Sequence, residues 1–536
     1  MLTKTEKALF RASLFQHLDG IVTAPVAHCL LKHDVLTFML THKKADLSEL
    51  AREFKANPGY LNVGLRVLAS QGWLDYEVDN ASGEVTYHIN AKSEIAFKHA
   101  AIYEDIVELQ KFSGKFHRRK FERAPFQKLE SIFKKYTNNY GLVFSEKEEE
   151  IQRQVLKHIE GMLVGPTVVA LGMSGMFHKY FMEASFKPEE FHADTESFEK
   201  LLDFFSHLGW FNKQKGTFSF TEKGLFFAKR ASAYGVTVSY IPTFRQIDDL
   251  IFGNPKVLWN VPEGSPEKHV DREMNVWGSG GAHSTYFKKI DEIIISIFNR
   301  PIDEQPKGIV DMGCGNGAFL QHIFEVIEGR TLRGEMLSDY PLFLVGADYN
   351  QAALKVTRAN LINADIWAKV IWGDIGRPDI LATDLKENYG IELEDLLNVR
   401  TFLDHNRIWE QSKEKTENRV SSSSGGFAFR GAYIPNNDVE DNLLGHFKKW
   451  APYVHKFGLL VIELHTIPPA VTSQNIGKTA ATAYDATHGF SDQYIVEVDI
   501  FNKIAAEAGL FPDERYFTKF PNSELATVSI NLLKGE

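Results

Sequence analysis

The sequence predicts an α/β protein with an open, mostly parallel sheet in its C-terminal half and a mainly helical N-terminal half. From residue 308 onward, apolar stretches of strand length alternate with helical patterns, which is typical of successive βαβ units. A glycine-rich turn follows the first of these stretches. The N-terminal half contains a diverged internal repeat instead, so we expect the two halves to fold as different modules.

The chain has 536 residues, which is more than one hydrophobic core usually serves. We expect a winged-helix-like module at 1–96, a helical connector at 97–157, a second winged-helix-like module or lid at 158–260, and the sheet domain at 261–536. An insertion is expected at 408–456. Its serine-rich segment 421–426 predicts a surface loop or a lid.

Composition narrows the classes of partner. The formal net charge of −10 argues against nucleic acid, because non-specific affinity for it comes mainly from Lys and Arg. Cys29 and Cys314 are the only cysteines, too few for a disulfide framework, which indicates a reducing compartment. The sequence contains no apolar run of the length that spans a bilayer, about 20 residues. We therefore expect a cytoplasmic protein without a membrane partner.

The internal repeat becomes visible when 17–20 (HLDG) is aligned with 158–161 (HIEG). At the same offset Pro25 corresponds to Pro166. Further along, at an offset that is four residues shorter, 72–74 (GWL) corresponds to 209–211 (GWF). In each copy a helical pattern is followed by a hairpin-like pattern. Each copy therefore predicts a winged helix-turn-helix.

Winged helices bind DNA, or they serve as dimerisation or lid modules. The candidate recognition helix of the first copy, 60–70, carries Arg66 as its only base-reading cation, where several Arg or Lys residues would be expected. We therefore favour a substrate lid or a homodimer contact over DNA binding.

In the C-terminal half, the first strand, 308–312, is followed by Gly313, Gly315 and Gly317. Glycines allow a backbone to approach a ligand where a Cβ would collide. Asp311 lies near the end of this strand, close to the expected ligand. Taken alone, the pattern also fits a dinucleotide-binding turn.

The next two strands favour S-adenosylmethionine over NAD. The second strand ends at Asp348, a carboxylate placed to hold two ribose hydroxyls, and Tyr349 follows where an adenine ring would lie. The third leads to Asp374 and Ile375, where a carboxylate would read the adenine amino group and an aliphatic side chain would cover the ring. With two further strand-like stretches at the C terminus that predict an antiparallel hairpin, the pattern resembles the Rossmann-like sheet of class I S-adenosylmethionine-dependent methyltransferases.

Polar residues also follow the fourth and fifth strands. The fourth ends at Asp404 and His405, and the fifth ends at His465. Ligands of such sheets bind beyond the carboxyl ends of the strands, so we expect these side chains to face the site.

Four stretches point to a narrower family: 278–283 (GSGGAH), 402–407 (FLDHNR), 463–466 (ELHT) and 488–494 (HGFSDQY). They resemble the metal-dependent C-methyltransferases of polyketide loading modules, of the apratoxin and saxitoxin starter-unit type. The resemblance implies methylation at the α-carbon of a malonyl-type thioester, assisted by one iron or manganese ion.

The resemblance also implies roles for individual residues. The candidate metal ligands are His465, Gln493 and Asp492, an imidazole and oxygen set that suits Fe²⁺ or Mn²⁺ better than zinc. His488 is a candidate base, third ligand or substrate contact. Asp404 and His405 are either a general base pair or residues that orient the metal ligands. The remaining candidate, Gly281, is expected to bring the backbone close to the cofactor carboxylate.

The acceptor and the use of a metal stay open at this point. The chain contains no Asp-Ser dipeptide, which would mark a fused carrier, so we expect an acyl substrate on a separate carrier protein or a free small molecule. One alternative is a metal-independent O- or N-methyltransferase in which His488 or His405 deprotonates a hydroxyl. Another is a DNA-binding regulator that senses S-adenosylmethionine.

Overall fold

The computed structural model describes residues 2–112, 122–262, 265, 267–413 and 415–535. The first repeat copy consists, in chain order, of α1 (Lys4–Lys32), α2 (Val35–His42), β1 (Lys44–Asp46), α3 (Leu47–Glu53), α4 (Pro58–Ser70), β2 (Asp75–Asp79) and β3 (Glu84–His88). The three strands form one sheet in the order β1-β3-β2. With α3 and α4 in front of the β2–β3 hairpin, the expected winged helix-turn-helix order is present.

The connector follows as α5 (Ser93–Ala100), α6 (Glu104–Lys111) and α7 (Arg123–Thr137). Its residues Ile106, Leu129 and Ile132 are fully buried in the core of the N-terminal half. The connector is therefore part of that core as well as a link.

The second copy contains α8 (Glu149–Met173), α9 (Lys179–Glu183), α10 (Thr195–His207), β4 (Phe211–Gln214), β5 (Thr217–Phe220), α11 (Glu222–Ala228), α12 (Ser232–Ser239), α13 (Ile241–Phe244) and α14 (Ile247–Phe252). The β4–β5 hairpin is the expected wing. Within the described residues, α8 is the one helix with the length and apolar composition of a membrane span, and 89% of its most apolar window is buried inside the protein.

The two repeat copies meet where α1 crosses α8, at the glycines of the aligned segments. A Cβ on Gly20 would lie 2.3 Å from the Cα of His158, and one on Gly161 would lie 2.3 Å from the carbonyl oxygen of His17. Beside this contact, Nε2 of His17 lies 3.0 Å from Oε1 of Glu160. The residues that reveal the repeat in the sequence therefore pack the two copies against each other.

The C-terminal half consists of α15 (Arg272–Phe298), β6 (Gly308–Met312), α16 (Ala318–Arg330), α17 (Leu332–Glu335), β7 (Phe343–Asp348), α18 (Gln351–Asn363), β8 (Lys369–Trp372), α19 (Pro378–Tyr389), β9 (Leu396–Thr401), β10 (Phe427–Phe429), β11 (Ala432–Ile434), α20 (Asn436–Val454), β12 (Leu459–Leu464), α21 (Pro469–Ser473), α22 (Ala481–Gly489), α23 (Val498–Glu507), β13 (Phe511–Pro512), β14 (Thr518–Phe520) and β15 (Val528–Lys534).

The central sheet has the strand order β13-β15-β12-β9-β6-β7-β8, and β14 pairs with β15. The five strands from β12 to β8 are parallel, whereas β15 runs antiparallel to β12 and to β14. Each face of the sheet packs against its own apolar cluster. The expected α/β fold, with a parallel sheet that ends in an antiparallel hairpin, is confirmed.

The segment 421–426 is not a surface excursion, and that interpretation was wrong. Ser421 and Ser423 are buried. The Ser421 hydroxyl donates to Glu440 of α20, and the Ser423 hydroxyl donates to Glu497 over 2.8 Å. These carboxylates, together with Asn80 of the first wing, which donates to the carbonyls of Ser421 and Ser423, hold the segment between that wing and the sheet domain.

Helix α4, the candidate recognition helix, lies inside the protein. All its residues from Gly59 to Ser70 are buried, and the apolar cluster around it includes Ala483 and Ala486 of α22. A helix covered in this way has no free face for a DNA groove. The first winged helix is instead packed onto the sheet domain.

Candidate cofactor and acceptor site

The turn after β6 has the backbone that a closely approached ligand requires. Gly313, Gly315 and Gly317 all have positive φ, at 78°, 57° and 79°, a conformation that disfavours residues with a Cβ. A Cβ on Gly315 would have no heavy atom within 4 Å. The Gly315 N–H donates to Oδ2 of Asp348 over 3.0 Å. The turn is thus tied to the end of β7 and faces open space.

Asp311 carries a buried carboxylate that lacks a partner. The residue is 1% exposed, and its Oδ2 accepts no hydrogen bond from any described residue. Burial, followed by the nearby charge of Asp348, raises the pKa of Asp311 to about 8. A buried carboxylate of this kind is stabilised by a cation, and S-adenosylmethionine has an ammonium and a sulfonium group. The residues present therefore fit this cofactor.

The other predicted cofactor residues lie at the same sheet edge. Oδ1 of Asp348 accepts from the Asn350 N–H over 2.8 Å, and Oδ1 of Asp374 accepts from the Gly376 N–H over 2.7 Å. These bonds hold the two carboxylates at the ends of neighbouring parallel strands.

The residues expected around the adenine ring differ in exposure. Ile375 is buried, and its carbonyl accepts from Nε1 of Trp450 over 2.7 Å. Tyr349 is 62% exposed, with its ring 5.7 Å from that of Trp372. Gly281 is helical, within α15. The roles of these residues in binding stay predictions.

His405 and Glu463 form a dyad at the ends of β9 and β12. Nδ1 of His405 lies 2.5 Å from Oε1 of Glu463, and Glu463 also accepts the backbone N–H groups of His405 and Leu464. With Nδ1 donating to the carboxylate, Nε2 of His405 carries the free lone pair. Among the described residues it has no hydrogen-bond partner.

A second histidine lies beside this dyad. The ring of His488 is 4.9 Å from that of His405, edge to face. Its Nδ1 lies 2.7 Å from the carbonyl oxygen of Tyr484, which leaves Nε2 unprotonated. Burial, and then the charge of His405, lower the pKa of His488 to about 3. His488 is therefore a neutral imidazole at neutral pH.

Asp404, the other predicted member of a base pair, faces away from solvent. It is fully buried and paired with Arg400 and with Nε2 of His446, the latter at 2.7 Å. Although burial raises the pKa of Asp404, Arg400 and His446 hold it below its ordinary range. Such a carboxylate is a weak base, so the geometry favours the orienting role over the role of a base.

The three predicted metal ligands do not fit a metal in this arrangement. His465 is fully buried, and both ring nitrogens are engaged: Nδ1 with the Val496 carbonyl at 3.0 Å and Nε2 with the Ser529 hydroxyl at 2.7 Å. A metal on His465 would have to break one of these contacts.

The other two members of the set are held by the N-terminal half. Asp492 accepts from the Tyr60 hydroxyl over 2.7 Å, and Nε2 of Gln493 donates to the Tyr240 hydroxyl over 3.2 Å. Within the described ranges, a group of three His, Cys, Asp or Glu ligand atoms occurs at Cys29, His33 and Asp248. That group lies in the N-terminal half, with Cys29 on α1, His33 directly after α1 and Asp248 on α14.

Glu463 was missed as a site residue by the sequence analysis. It lies in the motif 463–466 (ELHT), near the end of a predicted strand. These two features were the available signal. Because apolar strand residues lie on both sides of Glu463, the pattern offered no reason to assign it to the site instead of the hydrophobic core. Its proximity to His405 required the pairing of β9 with β12.

Three family models match the chain: the AprA MT2-like domain at 267–531, the AprA winged helix domain at 160–254 and the AprA N-terminal domain at 10–76. No curated protein sequence matches.

Solved structures that the chain resembles include the mitomycin 7-O-methyltransferase MmcR (10% identity, 69% of this chain and 94% of that chain, TM-score 0.40). The CurJ carbon methyltransferase (10%, 86% and 100%, 0.34) and an O-methyltransferase family protein from Burkholderia thailandensis (10%, 73% and 99%, 0.39) are also similar. Likeness at this level says nothing about the acceptor. The family models cover both repeat copies and the sheet, and the protein is an S-adenosylmethionine-dependent methyltransferase whose sheet domain matches the AprA MT2-like model.

Proposed function

We propose that the protein methylates the α-carbon of a malonyl-type or other 1,3-dicarbonyl acyl substrate in polyketide-like biosynthesis, with His405 as general base. The observation that carries the proposal is the His405–Glu463 dyad, at 2.5 Å, at the carboxyl edge of the sheet that also holds Asp311 and the glycine turn. The substrate arrives on a separate carrier protein or as a free small molecule.

A 1,3-dicarbonyl compound has an acidic α-proton, and the dyad suits its removal. Nε2 of His405 accepts the proton, while Glu463 keeps Nδ1 protonated and stabilises the imidazolium that results. The low pKa of His488 keeps the neighbouring ring uncharged, so it does not oppose the positive charge on His405. Bound S-adenosylmethionine supplies an activated methyl group, so positioning the acceptor carbon is the main remaining task.

A divalent ion in this site would need ligands other than His465. In this site, Nε2 of His405 and Nε2 of His488 have no hydrogen-bond partner among the described residues, and the two rings lie 4.9 Å apart. These two nitrogens would be the candidate donors to Fe²⁺ or Mn²⁺. An ion there would stabilise an enolate as a Lewis acid, but His405 could then not act as the base.

A metal-independent O-methyltransferase is the second candidate, because the same dyad can deprotonate a hydroxyl without a metal. We do not propose the DNA-binding regulator, since α4 is buried against the sheet domain.

The test is methyl transfer from S-adenosylmethionine to two acceptors, a malonyl thioester on a carrier protein or short thiol and a phenol, followed by mass spectrometry. A gain of one methyl group on the α-carbon supports the proposal. Transfer only to the phenol replaces it with the second candidate. Each reaction is repeated with a chelator, and loss of turnover would assign the metal-assisted form.

A further inference from the structure

Arg66 is a buried arginine of the N-terminal half whose guanidinium donates hydrogen bonds to the sheet domain. It lies on α4 and is 3% exposed. Nε donates to the Ser424 carbonyl over 2.8 Å, Nη1 pairs with Asp485, and Nη2 donates to the Thr466 hydroxyl over 3.1 Å and to the Ile467 carbonyl over 3.2 Å. Four acceptors from three separate segments therefore converge on one side chain.

Asp485 connects this arginine to the proposed acceptor site. It lies on α22, one helical turn before His488, and it also accepts from the Thr466 hydroxyl over 2.7 Å. Thr466 follows the end of β12, the strand that carries Glu463. The Arg66–Asp485 pair thus joins the helix of His488 to the strand end that holds the dyad.

The surroundings leave Arg66 little freedom. A Cβ on Gly426 would lie 3.0 Å from its Cδ, so the glycine of the buried segment 421–426 makes room for the side chain. A narrow cleft lies beside it, and Asp485, Gly489 and Gln493 are among the residues that line the cleft. Gly489 and Gln493 are the first and last residues of 489–493, the segment that directly follows His488.

We propose that Arg66 is a positioning residue: through Asp485 it sets the orientation of α22, and so of His488 relative to His405, so that the N-terminal half completes the acceptor site. The inference rests on the proposed function only in that the acceptor lies next to these histidines. Removing one partner of a buried ion pair leaves an uncompensated charge, so loss of Arg66 disturbs Asp485 first and α22 next.

The primary test is Arg66→Met in the full-length protein, with Arg333→Met as the matched control. Arg333 is also buried, at 5% exposed, and donates to the carbonyls of Tyr340 and Pro341, neither of which lies on α22. Hydrogen exchange measured by mass spectrometry reports on the peptide at 481–489 without needing any activity. Faster exchange there in Arg66→Met alone is expected, and exchange equal to the wild type in both variants would overturn the proposal.

Turnover is then measured with whichever acceptor the wild type methylates. We expect kcat of Arg66→Met to fall on the order of 10- to 100-fold, while the affinity for S-adenosylhomocysteine stays within about twofold, since the pair does not touch the glycine turn. Arg333→Met should keep the wild-type kcat even if its thermal stability falls. An unchanged kcat in Arg66→Met would show a purely structural role and overturn the proposal.

A double substitution tests whether Arg66 acts through Asp485. In Arg66→Met the remaining Asp485 is a buried, unpaired carboxylate, so adding Asp485→Asn should recover part of kcat. Additive losses would contradict coupling through Asp485. If the wild type methylates neither acceptor, the exchange result still decides the positioning role, and only the proposed function fails.

Discussion

Nδ1 of His405 and Oε1 of Glu463 lie 2.5 Å apart although 58 positions separate the residues in the chain. The contact exists because β9 and β12 are parallel neighbours, so their carboxyl ends meet. A hydrogen bond to a carboxylate selects the tautomer with a basic Nε2.

We expect His405→Ala and Glu463→Gln each to lower kcat, by about 10²- to 10⁴-fold for loss of the base and by less for Glu463→Gln. The measurement is methyl transfer at saturating cofactor. His322 of α16 forms a control histidine–carboxylate pair with Asp291 of α15, at 2.8 Å. A His405→Ala variant as active as His322→Ala would remove the base assignment.

Asp311 makes cofactor binding depend on pH. Its pKa of about 8 without cofactor means that the carboxyl group is largely protonated at pH 7, whereas a bound ammonium requires the carboxylate. Affinity for S-adenosylhomocysteine should therefore rise as pH increases from 7 to 9, with uptake of the ligand releasing a proton from the protein. Calorimetry in buffers of different ionisation enthalpy measures that proton. Asp311→Asn should bind more weakly and lose the proton release, and the same proton release in this variant would contradict the assignment.

His465 should contribute to folding as a neutral ring. Burial lowers its pKa to about 4 from the ordinary value near 6.5, so the unfolded chain binds more protons between these values. The stability contributed by the neutral ring is present above about pH 6.5 and is lost as pH falls towards 4. Urea unfolding at pH 7 and pH 5 measures the loss. His465→Asn should be less stable at pH 7 and less sensitive to pH, unlike a variant of exposed His42, and an unaltered pH dependence would contradict this account.

The α1–α8 crossing should not tolerate a side chain. Gly20→Ala places a Cβ 2.3 Å from the backbone of His158, and overpacking of this kind typically costs about 1–3 kcal/mol. Gly445→Ala, on α20 with open space around its Cβ, is the control and should be neutral or stabilising. Chemical denaturation measures the free energy of unfolding of both variants. Equal values would mean that α1 and α8 can move apart at no cost, which would contradict this prediction.

Several features of this protein followed from the sequence alone because their signals are local. The strand 308–312, the three turn glycines and the carboxylates at the ends of the next two strands depend on residue type and spacing within short windows. The internal repeat was visible because the α1–α8 crossing requires a glycine in each copy, Gly20 in the first and Gly161 in the second. These patterns determined the α/β sheet, the winged helices and the cofactor edge.

The chemistry of individual side chains was decided by tertiary structure. In the sequence His405 and His465 look equivalent, because each lies at the end of a predicted strand. In the folded protein both ring nitrogens of His465 contact Val496 and Ser529, whereas Nε2 of His405 stays free. Arg66 looked like a surface cation of a recognition helix, and the structure buries it against Asp485, 419 positions away. Which lone pair is free and which charge is paired depend on contacts between distant segments, and no local pattern in the chain specifies them.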